Sequence, residues 1–285
     1  MSETRWPAPA KVNLFLHITG RRDDGYHELQ TVFQLLDYGD ELSITPSNDA
    51  RIVRVNHVAG LAADQDIVLK AARLLAAETG CRLGAKIALK KRIPMGGGLG
   101  GGSSDAATTL LALNQLWQLG LDRENLCALG LRLGADVPVF IGGHSAWAEG
   151  VGERLTTLEL PTQYFLVVTP PVAVSTADMF RDSNLTRDHE AITIRDYFSD
   201  PNLKVENVFE PLLRRRYPVI AQALDWLTRE SGIKACVSGT GASLFVALPE
   251  RARLQAIADK LPEEWSKFIA RALNRSPILA MLEHQ

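Results

Sequence analysis

A dense run of glycines is the segment of this sequence best suited to chemistry. Between residues 96 and 102, six of the seven positions are glycine, in a chain that holds 22 glycines altogether. Glycine lets backbone amide groups approach an anion closely because no Cβ stands in the way. An apolar helix predicted directly after the run adds free amide groups and the positive end of its dipole. Residues 94–104 therefore predict a phosphate cradle, with a flexible surface loop as the alternative.

Two widespread phosphate-binding motifs do not describe this cradle. A Walker A loop has a lysine after its last glycine, and here Gly102 is followed by two serines. A dinucleotide-binding fingerprint lies near an early strand and is followed about 20 residues later by an acidic residue. This run lies nearly a hundred residues into the chain and is denser in glycine. The cradle is therefore predicted to be of another kind.

Two charged residues are candidates for chemistry beside the cradle. Asp136 follows the helix-ending Gly134 and precedes an apolar run, so it is either a structural helix cap or a general base. Lys11 lies in an apolar, strand-like run at 9–16, where a lysine is either on the wet face of an edge strand or buried and paired. Asn13 alternates with Lys11 and so shares its face of the strand.

A turn near the amino terminus carries two amphipathic rings. Gly25, Tyr26, His27 and Glu28 follow one another there. Either ring could stack on a heterocycle and read it with its polar end, as an alternative to a structural Tyr–His pair.

Composition excludes several functional classes. The chain has 285 residues, of which 46% are apolar and 22% charged, with a net charge of −2, which indicates a globular protein without a broad basic surface. The three cysteines form no metal or disulfide motif. Residues 1–7 lack the apolar core of a signal peptide, and prolines interrupt the longest uncharged stretch, at 160–177. We expect a cytoplasmic protein that binds neither a membrane nor, since its basic runs lack aromatic residues, nucleic acid.

Periodicity and capping residues predict the elements that position these candidates. Asp66 is expected to cap one helix and Ser103 or Ser104 the next, with Asp105 in the first turn of that second helix. From residue 160 the order strand, helix, strand, strand, helix, strand is that of a split βαβ unit. Helices are predicted at 67–78, 106–119, 124–133, 205–216, 219–230 and 251–260, and strands at 41–45, 52–57, 86–93, 164–169, 235–238, 243–248 and 266–273.

Three segments together resemble the GHMP kinases (galactose, homoserine, mevalonate and phosphomevalonate kinases). They are Pro-Ala-Lys-Val-Asn-Leu at 9–14, the glycine-rich segment at 94–104 and Val-Ser-Gly-Thr-Gly-Ala-Ser at 237–243. The resemblance implies a two-domain α+β fold. Its amino-terminal mixed β/α domain, at 1–157, would carry the glycine-rich phosphate loop, and its carboxy-terminal domain, at 158–285, would be a ferredoxin-like split βαβ domain.

Within the family, the chain resembles the branch that acts on a cytidyl diphosphate alcohol. The segments that carry this resemblance are Asp-Gly-Tyr-His-Glu-Leu at 24–29, the doubled triple glycine, Gly-Ala-Asp-Val-Pro-Val-Phe at 134–140 and Ala-Glu-Gly-Val-Gly-Glu at 148–153. The resemblance implies transfer of the γ-phosphoryl group of ATP to the 2-hydroxyl of that alcohol, with Mg²⁺, in the non-mevalonate isoprenoid pathway. Lys11 and Asp136 would be the catalytic residues: Asp136 would accept or orient the hydroxyl proton, and Lys11 would stabilise developing charge.

The resemblance also implies two sets of binding residues, and it leaves the ligands of the metal unassigned. The ATP-binding set is Asp66, Ile67, Lys91, Pro94, Met95, Gly96, Gly97, Gly98, Leu99, Gly100, Gly101, Gly102, Ser103, Ser104 and Asp105. The substrate-binding set is Asn13, Tyr26, His27, Phe33, Val151, Thr176, Phe180, Gly239, Thr240 and Ser243.

Two other functions stay open at the level of sequence. A sister kinase would act on homoserine or a mevalonate-like acid, but an aliphatic substrate needs no stacking rings such as Tyr26 and Phe180. A non-catalytic ATP-binding regulator would need neither Lys11 nor Asp136. The expected partner is a small-molecule substrate, and the expected oligomeric state is a monomer or a weak homodimer.

Overall fold

A computed structural model describes residues 4–62, 65–200 and 202–283. Residues 1–3 lie outside the described residues, and part of the signal-peptide prediction rests on them. The predicted start of the first domain, at residue 1, and the predicted end of the second, at residue 285, also lie outside the described residues. The boundary between residues 157 and 158 stays a prediction. Among the described residues, no helix combines the length and apolar character needed to cross a bilayer.

The amino-terminal part is built on one long antiparallel hairpin. Strand β2 of this hairpin also pairs with β4 and β5, so it forms the centre of the sheet. The strands are β1 (Thr4–Arg21), β2 (His27–Ser47), β3 (Ile52–Arg54), β4 (Gly84–Lys90), β5 (Ala146–Glu149) and β6 (Arg154–Thr157). The helices of this part are α1 (Ile67–Thr79), α2 (Gly101–Leu116), α3 (Arg123–Leu133) and α4 (Val137–Gly142).

The carboxy-terminal part confirms the split βαβ prediction. Its strands are β7 (Tyr164–Thr169), β8 (Cys236–Val237), β9 (Leu244–Leu248) and β10 (Ser266–Leu273), in the antiparallel order β10-β7-β9-β8. This order is ferredoxin-like. The helices are α5 (Thr176–Arg181), α6 (Ile194–Ser199), α7 (Glu210–Arg216), α8 (Pro218–Ser231), α9 (Arg251–Ala258) and α10 (Pro277–Glu283).

Helix α2 begins inside the glycine run, five residues earlier than predicted. Gly100 is its N-cap, so Ser103 and Ser104 lie in the first turn instead of capping it, and Asp105 follows that turn. Each glycine in a helix costs about 1 kcal/mol relative to alanine. Burial of Leu110 and of other side chains further along α2 outweighs this cost, because a buried leucine contributes about 1.5–3 kcal/mol. Local capping rules were therefore wrong here because tertiary packing extends the helix.

Other differences from the predictions concern segments whose partners are remote in sequence. The hairpin strands β1 and β2 are far longer than the short runs predicted within them. The helical stretch predicted at 205–216 is helical only in α7, and β5, β6, α4, α5, α6 and α10 were not predicted at all. These elements are short, at four to seven residues each, so they carry too little periodicity to be recognised alone.

A buried serine lies where β10 pairs with β2 and so joins the strands of the two parts into one sheet. Ser145 donates to the carbonyl of Leu273 at 2.7 Å and accepts from the backbone N–H of Leu35 at 2.9 Å. Gln34 donates to the same hydroxyl at 3.0 Å and to the same carbonyl at 2.9 Å. The serine and the glutamine therefore hold the seam between the two halves of the fold.

We expect the Ser145→Ala substitution to lower the free energy of unfolding by about 1–3 kcal/mol, because it leaves buried polar groups without their partner. The measurement is the midpoint of urea-induced unfolding. The control is Ser183→Ala, at an exposed serine, with an expected effect below about 0.5 kcal/mol. Equal midpoints for the two variants would contradict the role of Ser145.

Candidate active site

The ammonium of Lys11 is buried and ion-paired with Asp136. The distance between Lys11 Nζ and Asp136 Oδ2 is 3.2 Å, and Lys11 is only 2% exposed. The regular pairing of β1 with β2 shifts register on both sides of Lys11, and the Lys11 backbone N–H instead donates to Leu99 of the glycine loop at 3.0 Å. This irregularity aims the side chain into the protein, so the edge-strand alternative for Lys11 is excluded.

The ammonium is fixed by three contacts, which match its three N–H groups. Besides the ion pair, Lys11 Nζ donates to Asn13 Oδ1 at 2.5 Å and to the carbonyl of Gly98 at 3.2 Å. Asn13 in turn donates to Thr31 Oγ1 at 2.9 Å. The ring of Phe33 lies under the ammonium, with its centroid 5.1 Å away. The prediction that Lys11 and Asn13 share a face is confirmed.

Asp136 precedes helix α4 without capping it. The residue occupies the N-cap position, but its side chain accepts no hydrogen bond from the helix backbone. The side chain is 34% exposed and borders a cavity. The carboxylate is therefore available to a ligand, which favours the general-base alternative over the structural cap.

The glycine loop is folded as only glycine allows. Gly96, Gly98 and Gly100 have φ angles of +70°, +75° and +70°. A Cβ on Gly98 would lie 2.1 Å from the carbonyl oxygen of Ser238. Ser238 Oγ donates to the Gly98 carbonyl at 2.9 Å. The loop is therefore held tightly by the Ser-Gly-Thr-Gly turn, which excludes the flexible-loop alternative.

The loop presents, at the start of α2, three amide groups that donate to no acceptor in the part of the chain that the structure describes. The first hydrogen bond of the helix runs from Ser104 N–H to the Gly100 carbonyl at 2.8 Å. The amides of Gly101, Gly102 and Ser103 come before it and have no acceptor within the helix. With the helix dipole, these groups form an anion site. A Cβ on Gly101 would lie 3.0 Å from Lys91 Nζ, which places a second ammonium against this site.

Lys91 belongs to a buried ionic cluster behind the loop. Its ammonium contacts Asp40 at 2.5 Å and Asp105 at 2.7 Å. The other oxygen of Asp40 accepts from the backbone N–H groups of Arg92 at 2.5 Å and Ile93 at 2.8 Å. Burial raises the pKa of Asp105 to about 8, against the opposing effect of Lys91 and with the support of Asp40. The cluster therefore fixes the end of β4 to α2, and an ATP contact by Lys91 or Asp105 stays a prediction.

Asp66 has the capping role expected of it. Its Oδ1 accepts from the backbone N–H groups of Val68 at 3.0 Å and Leu69 at 3.4 Å, and its Oδ2 lies 3.2 Å from Arg54 Nε. The residue is 1% exposed, so its carboxylate is directed to the protein, and an ATP contact by it stays a prediction. Ile67 lies beside the loop, since a Cβ on Gly102 would be 3.8 Å from it.

A cavity of about 940 Å³ extends from the Lys11–Asp136 pair to the turn that joins β1 to β2. It brings together nine of the ten residues predicted to bind substrate: Asn13, Tyr26, His27, Phe33, Val151, Thr176, Phe180, Gly239 and Thr240. Ser243 is the exception. It is fully buried, bonds Thr169 at 2.7 Å and donates its backbone N–H to Gly97 at 3.1 Å, so it supports the loop instead of lining the cavity.

The far end of the cavity is aromatic. The rings of His27 and Phe180 lie 5.2 Å apart, and Phe180 packs edge-on against Phe209 at 4.9 Å. Tyr26 is 63% exposed at the rim and makes no ring contact within the described ranges, so the structural Tyr–His pair is not formed. These side chains leave room for a flat heterocycle beside the rings.

Three arginines of the cavity were missed by the sequence analysis. Arg21, Arg181 and Arg187 all line it and suit an anionic ligand. Arg21 ends strand β1, four residues before Gly25, and its closeness to the turn with the two rings could have marked it. Arg187 lies between the strand predicted at 164–169 and the helix predicted at 205–216, where no motif or element was predicted, so the sequence carried no signal for it. Burial first, and then the charges of Arg187 and Arg21, lower the pKa of His27.

Comparison with known proteins places this arrangement in a family. Models of the GHMP kinase N-terminal and C-terminal domains match residues 66–144 and 185–267. The 4-diphosphocytidyl-2-C-methyl-D-erythritol kinase of Halorhodospira halophila is 52% identical, with 96% of this chain and 94% of that protein covered.

Solved structures agree with the sequence relatives. A crystal structure of 4-(cytidine 5'-diphospho)-2C-methyl-D-erythritol kinase superposes with a TM-score of 0.82 at 32% identity, covering 94% of this chain and 99% of that one. A mevalonate kinase shares the fold alone, with a TM-score of 0.70 at 17% identity and coverage of 95% and 100%. On this evidence, and on the geometry of its glycine loop and Lys11–Asp136 pair, the chain belongs to the GHMP kinases.

Proposed function

We propose that this chain transfers the γ-phosphoryl group of ATP to the 2-hydroxyl of 4-diphosphocytidyl-2-C-methyl-D-erythritol, in the non-mevalonate route to isoprenoid precursors. The observation that carries the proposal is the Lys11–Asp136 pair, which stands between the glycine loop and the aromatic end of one cavity. The activity named for the relatives requires such an order: a triphosphate, a reacting hydroxyl and a cytidyl group in line.

Asp136 and Lys11 have complementary tasks in the transfer. The alcohol oxygen forms a bond to the γ-phosphorus while the bond from that phosphorus to the bridging oxygen of ADP breaks, and the alcohol proton passes to Asp136. Lys11 stabilises the negative charge that grows on the transferred group, because its ammonium is already fixed by Asn13 and the Gly98 carbonyl. Such chemistry depends mainly on positioning and charge, which a rigid pair provides.

The glycine loop holds the phosphates of ATP. Free amides at the start of α2 and the dipole of that helix attract the anionic chain, and the nearby Lys91 ammonium adds positive charge. The loop packs on the turn at 238–241, so the bound phosphates lie at the junction of the two halves of the fold.

Mg²⁺ is proposed to enter with the nucleotide. Within the described ranges no group of three His, Cys, Asp or Glu side chains could hold a metal by itself, which fits a cation carried mainly by phosphates and water. Ser103, which lines the cavity beside the loop, is the side chain that would hold it. When bound, the ion neutralises charge on the phosphate oxygens.

The opposite end of the cavity suits the cytidyl diphosphate group. Tyr26 and Phe180 offer faces for the pyrimidine, and His27 offers a polar edge. Arg21 and Arg181 offer positive charge to the diphosphate. An aliphatic acceptor such as homoserine or mevalonate uses neither feature, so these alternatives are disfavoured. A non-catalytic regulator would have no use for the rigid Lys11–Asp136 pair.

The setting of the enzyme is also part of the proposal. Three free cysteines, a net charge of −2 and the lack of a spanning helix in the described part of the chain support a cytoplasmic enzyme that acts on a small molecule, without nucleic acid or membrane partners. We propose a monomer or a weak homodimer, since the Lys11–Asp136 pair and the cavity are built within one chain.

Substrate choice tests the function directly. In an ADP-release assay over a panel of alcohols, we expect turnover with the cytidyl diphosphate alcohol and at most background rates with homoserine and mevalonate, because only the first fills both ends of the cavity. Turnover of homoserine or mevalonate without turnover of the cytidyl alcohol would overturn the proposal.

Replacing the base tests the mechanism. We expect Asp136→Asn to lower kcat by about 10²–10⁴-fold, because proton transfer to a positioned base is lost, while the affinity for ATP changes little. Steady-state kinetics and ATP titration are the measurements. The control is Glu263→Gln, at an exposed position, which also removes one negative charge. Its kcat and its affinity for ATP should equal those of the wild type. A loss below about tenfold, equivalent to about 1.4 kcal/mol, would show that Asp136 is not the base.

The backbone conformation of the glycine loop at Gly100 leaves no space for a side chain. Gly100 has φ +70°, and a Cβ there would lie 2.8 Å from the Phe140 ring and 3.1 Å from Lys11 Cε. We expect Gly100→Ala to raise the dissociation constant of ATP by about tenfold or more, or about 1.4 kcal/mol, measured by calorimetric titration. In contrast, Gly142→Ala adds a Cβ with no atom within 4 Å and should leave ATP binding intact. Equal affinities for both variants would contradict the assignment of the loop.

A further inference from the structure

Arg187 is anchored in the wall of the cavity by four hydrogen bonds. Its Nε donates to His27 Nε2 at 3.1 Å, and its Nη1 donates to the carbonyl of Leu185 at 3.0 Å. Its Nη2 donates to the carbonyls of Phe180 at 3.0 Å and Asp182 at 2.8 Å. One guanidinium therefore connects the start of β2 to the end of α5 and to the segment that follows it.

The bond to His27 decides where the imidazole proton lies. Arginine stays charged and can only donate hydrogen bonds, so His27 Nε2 must accept. In a neutral imidazole the proton is then on Nδ1. The lowered pKa of His27, caused first by burial and then by Arg187 and Arg21, keeps the ring neutral at pH 7. Nδ1 bonds to nothing in the described part of the chain, so an N–H donor remains for a ligand in the cavity.

An N–H donor can distinguish the two common pyrimidines. Cytosine has an acceptor at ring nitrogen N3, whereas uracil has an N–H donor at the same place. Facing that position, an N–H group of the protein pairs with cytosine and meets a second donor in uracil. A site that matches the hydrogen-bond pattern of cytosine rejects uracil strongly, because mismatched polar groups lose their bound water without gaining a hydrogen-bond partner.

We propose that Arg187 is a positioning residue for base specificity, which fixes His27 in the Nδ1–H form and thereby makes the site select cytosine over uracil. This inference rests on the proposed function, since it concerns the cytidyl end of that substrate. The same guanidinium also binds the backbone carbonyl of Phe180. It therefore fixes the distance of 5.2 Å between the rings of Phe180 and His27.

Arg187→Met tests the inference by kinetics. Methionine retains the length of the side chain but cannot donate. We expect the ratio of kcat/KM for the cytidyl substrate to kcat/KM for its uridyl analogue to fall by about tenfold or more, mainly through KM, while kcat with the cytidyl substrate changes less than about threefold. A ratio equal to that of the wild type would overturn the inference.

Arg181→Met is the matched control for charge. Arg181 also lines the cavity, but it makes no hydrogen bond to His27. We expect this variant to lower kcat/KM for the cytidyl and the uridyl substrate by the same factor, because both substrates carry the same diphosphate. If Arg187→Met likewise lowered kcat/KM for both substrates by the same factor, Arg187 would act on the diphosphate and the inference would be wrong.

A spectroscopic measurement needs neither turnover nor a folded variant. The ¹⁵N shifts of the His27 ring in the wild-type protein, near pH 7, should show a protonated Nδ1 and an unprotonated Nε2. A protonated Nε2 would overturn the inference.

Affinity separates failure of the inference from failure of the proposed function. CDP should bind the wild type at least about tenfold more tightly than UDP, and Arg187→Met should narrow this gap, whether or not the cytidyl alcohol is phosphorylated. If CDP is preferred but the alcohol is not turned over, the proposed function fails and the inference stands. Equal affinities in the wild type would overturn the inference.

Discussion

A buried ammonium is the constraint on which this active site depends. Removing a charge from water costs several kcal/mol unless partners replace the lost hydration. Lys11 finds its partners on two distant segments, the carbonyl of Gly98 and the carboxylate of Asp136, besides its strand neighbour Asn13. The need to satisfy one charge therefore brings β1, the glycine loop and the start of α4 to a single point. That point lies between the proposed phosphate site and the cavity, so the charge that joins these segments is also the one proposed to act on the transferred phosphoryl group.

The glycine loop is constrained from both sides. Lys11 donates to it through its backbone and its ammonium, and Ser238 of the opposite half of the fold bonds the Gly98 carbonyl. Ser243 was expected to touch substrate, but it donates to Gly97 and holds the loop from behind. The residues of the third family motif thus hold the proposed phosphate site through the backbone of another segment. A change in the carboxy-terminal half can therefore alter ATP binding without contact with ATP.

The sequence predicted what depends on local chemistry. Asp66 caps α1 because capping needs only the next few residues, and Lys11 and Asn13 share a face because strand alternation requires it. The sequence did not predict features that depend on contacts between residues far apart in the chain. Ser103 and Ser104 satisfy the local rule for a cap, yet packing of α2 moves the cap to Gly100. Arg187 was missed because its role depends on a fold contact with His27, 160 residues earlier, which spacing cannot reveal.

The two ends of the cavity use cations in opposite ways. At the reacting end, the Lys11 ammonium lies 3.2 Å from the Asp136 carboxylate, at the point where phosphoryl transfer is proposed to occur. At the cytidyl end, the Arg187 guanidinium donates to the His27 imidazole. Burial first, and then the charge of Arg187, lower the pKa of that ring, and the donor geometry leaves its one proton on Nδ1. Charge stabilises a transition state, whereas a fixed donor distinguishes bases. A lysine could not easily take the place of Arg187, because the planar guanidinium holds His27 and three carbonyls at once.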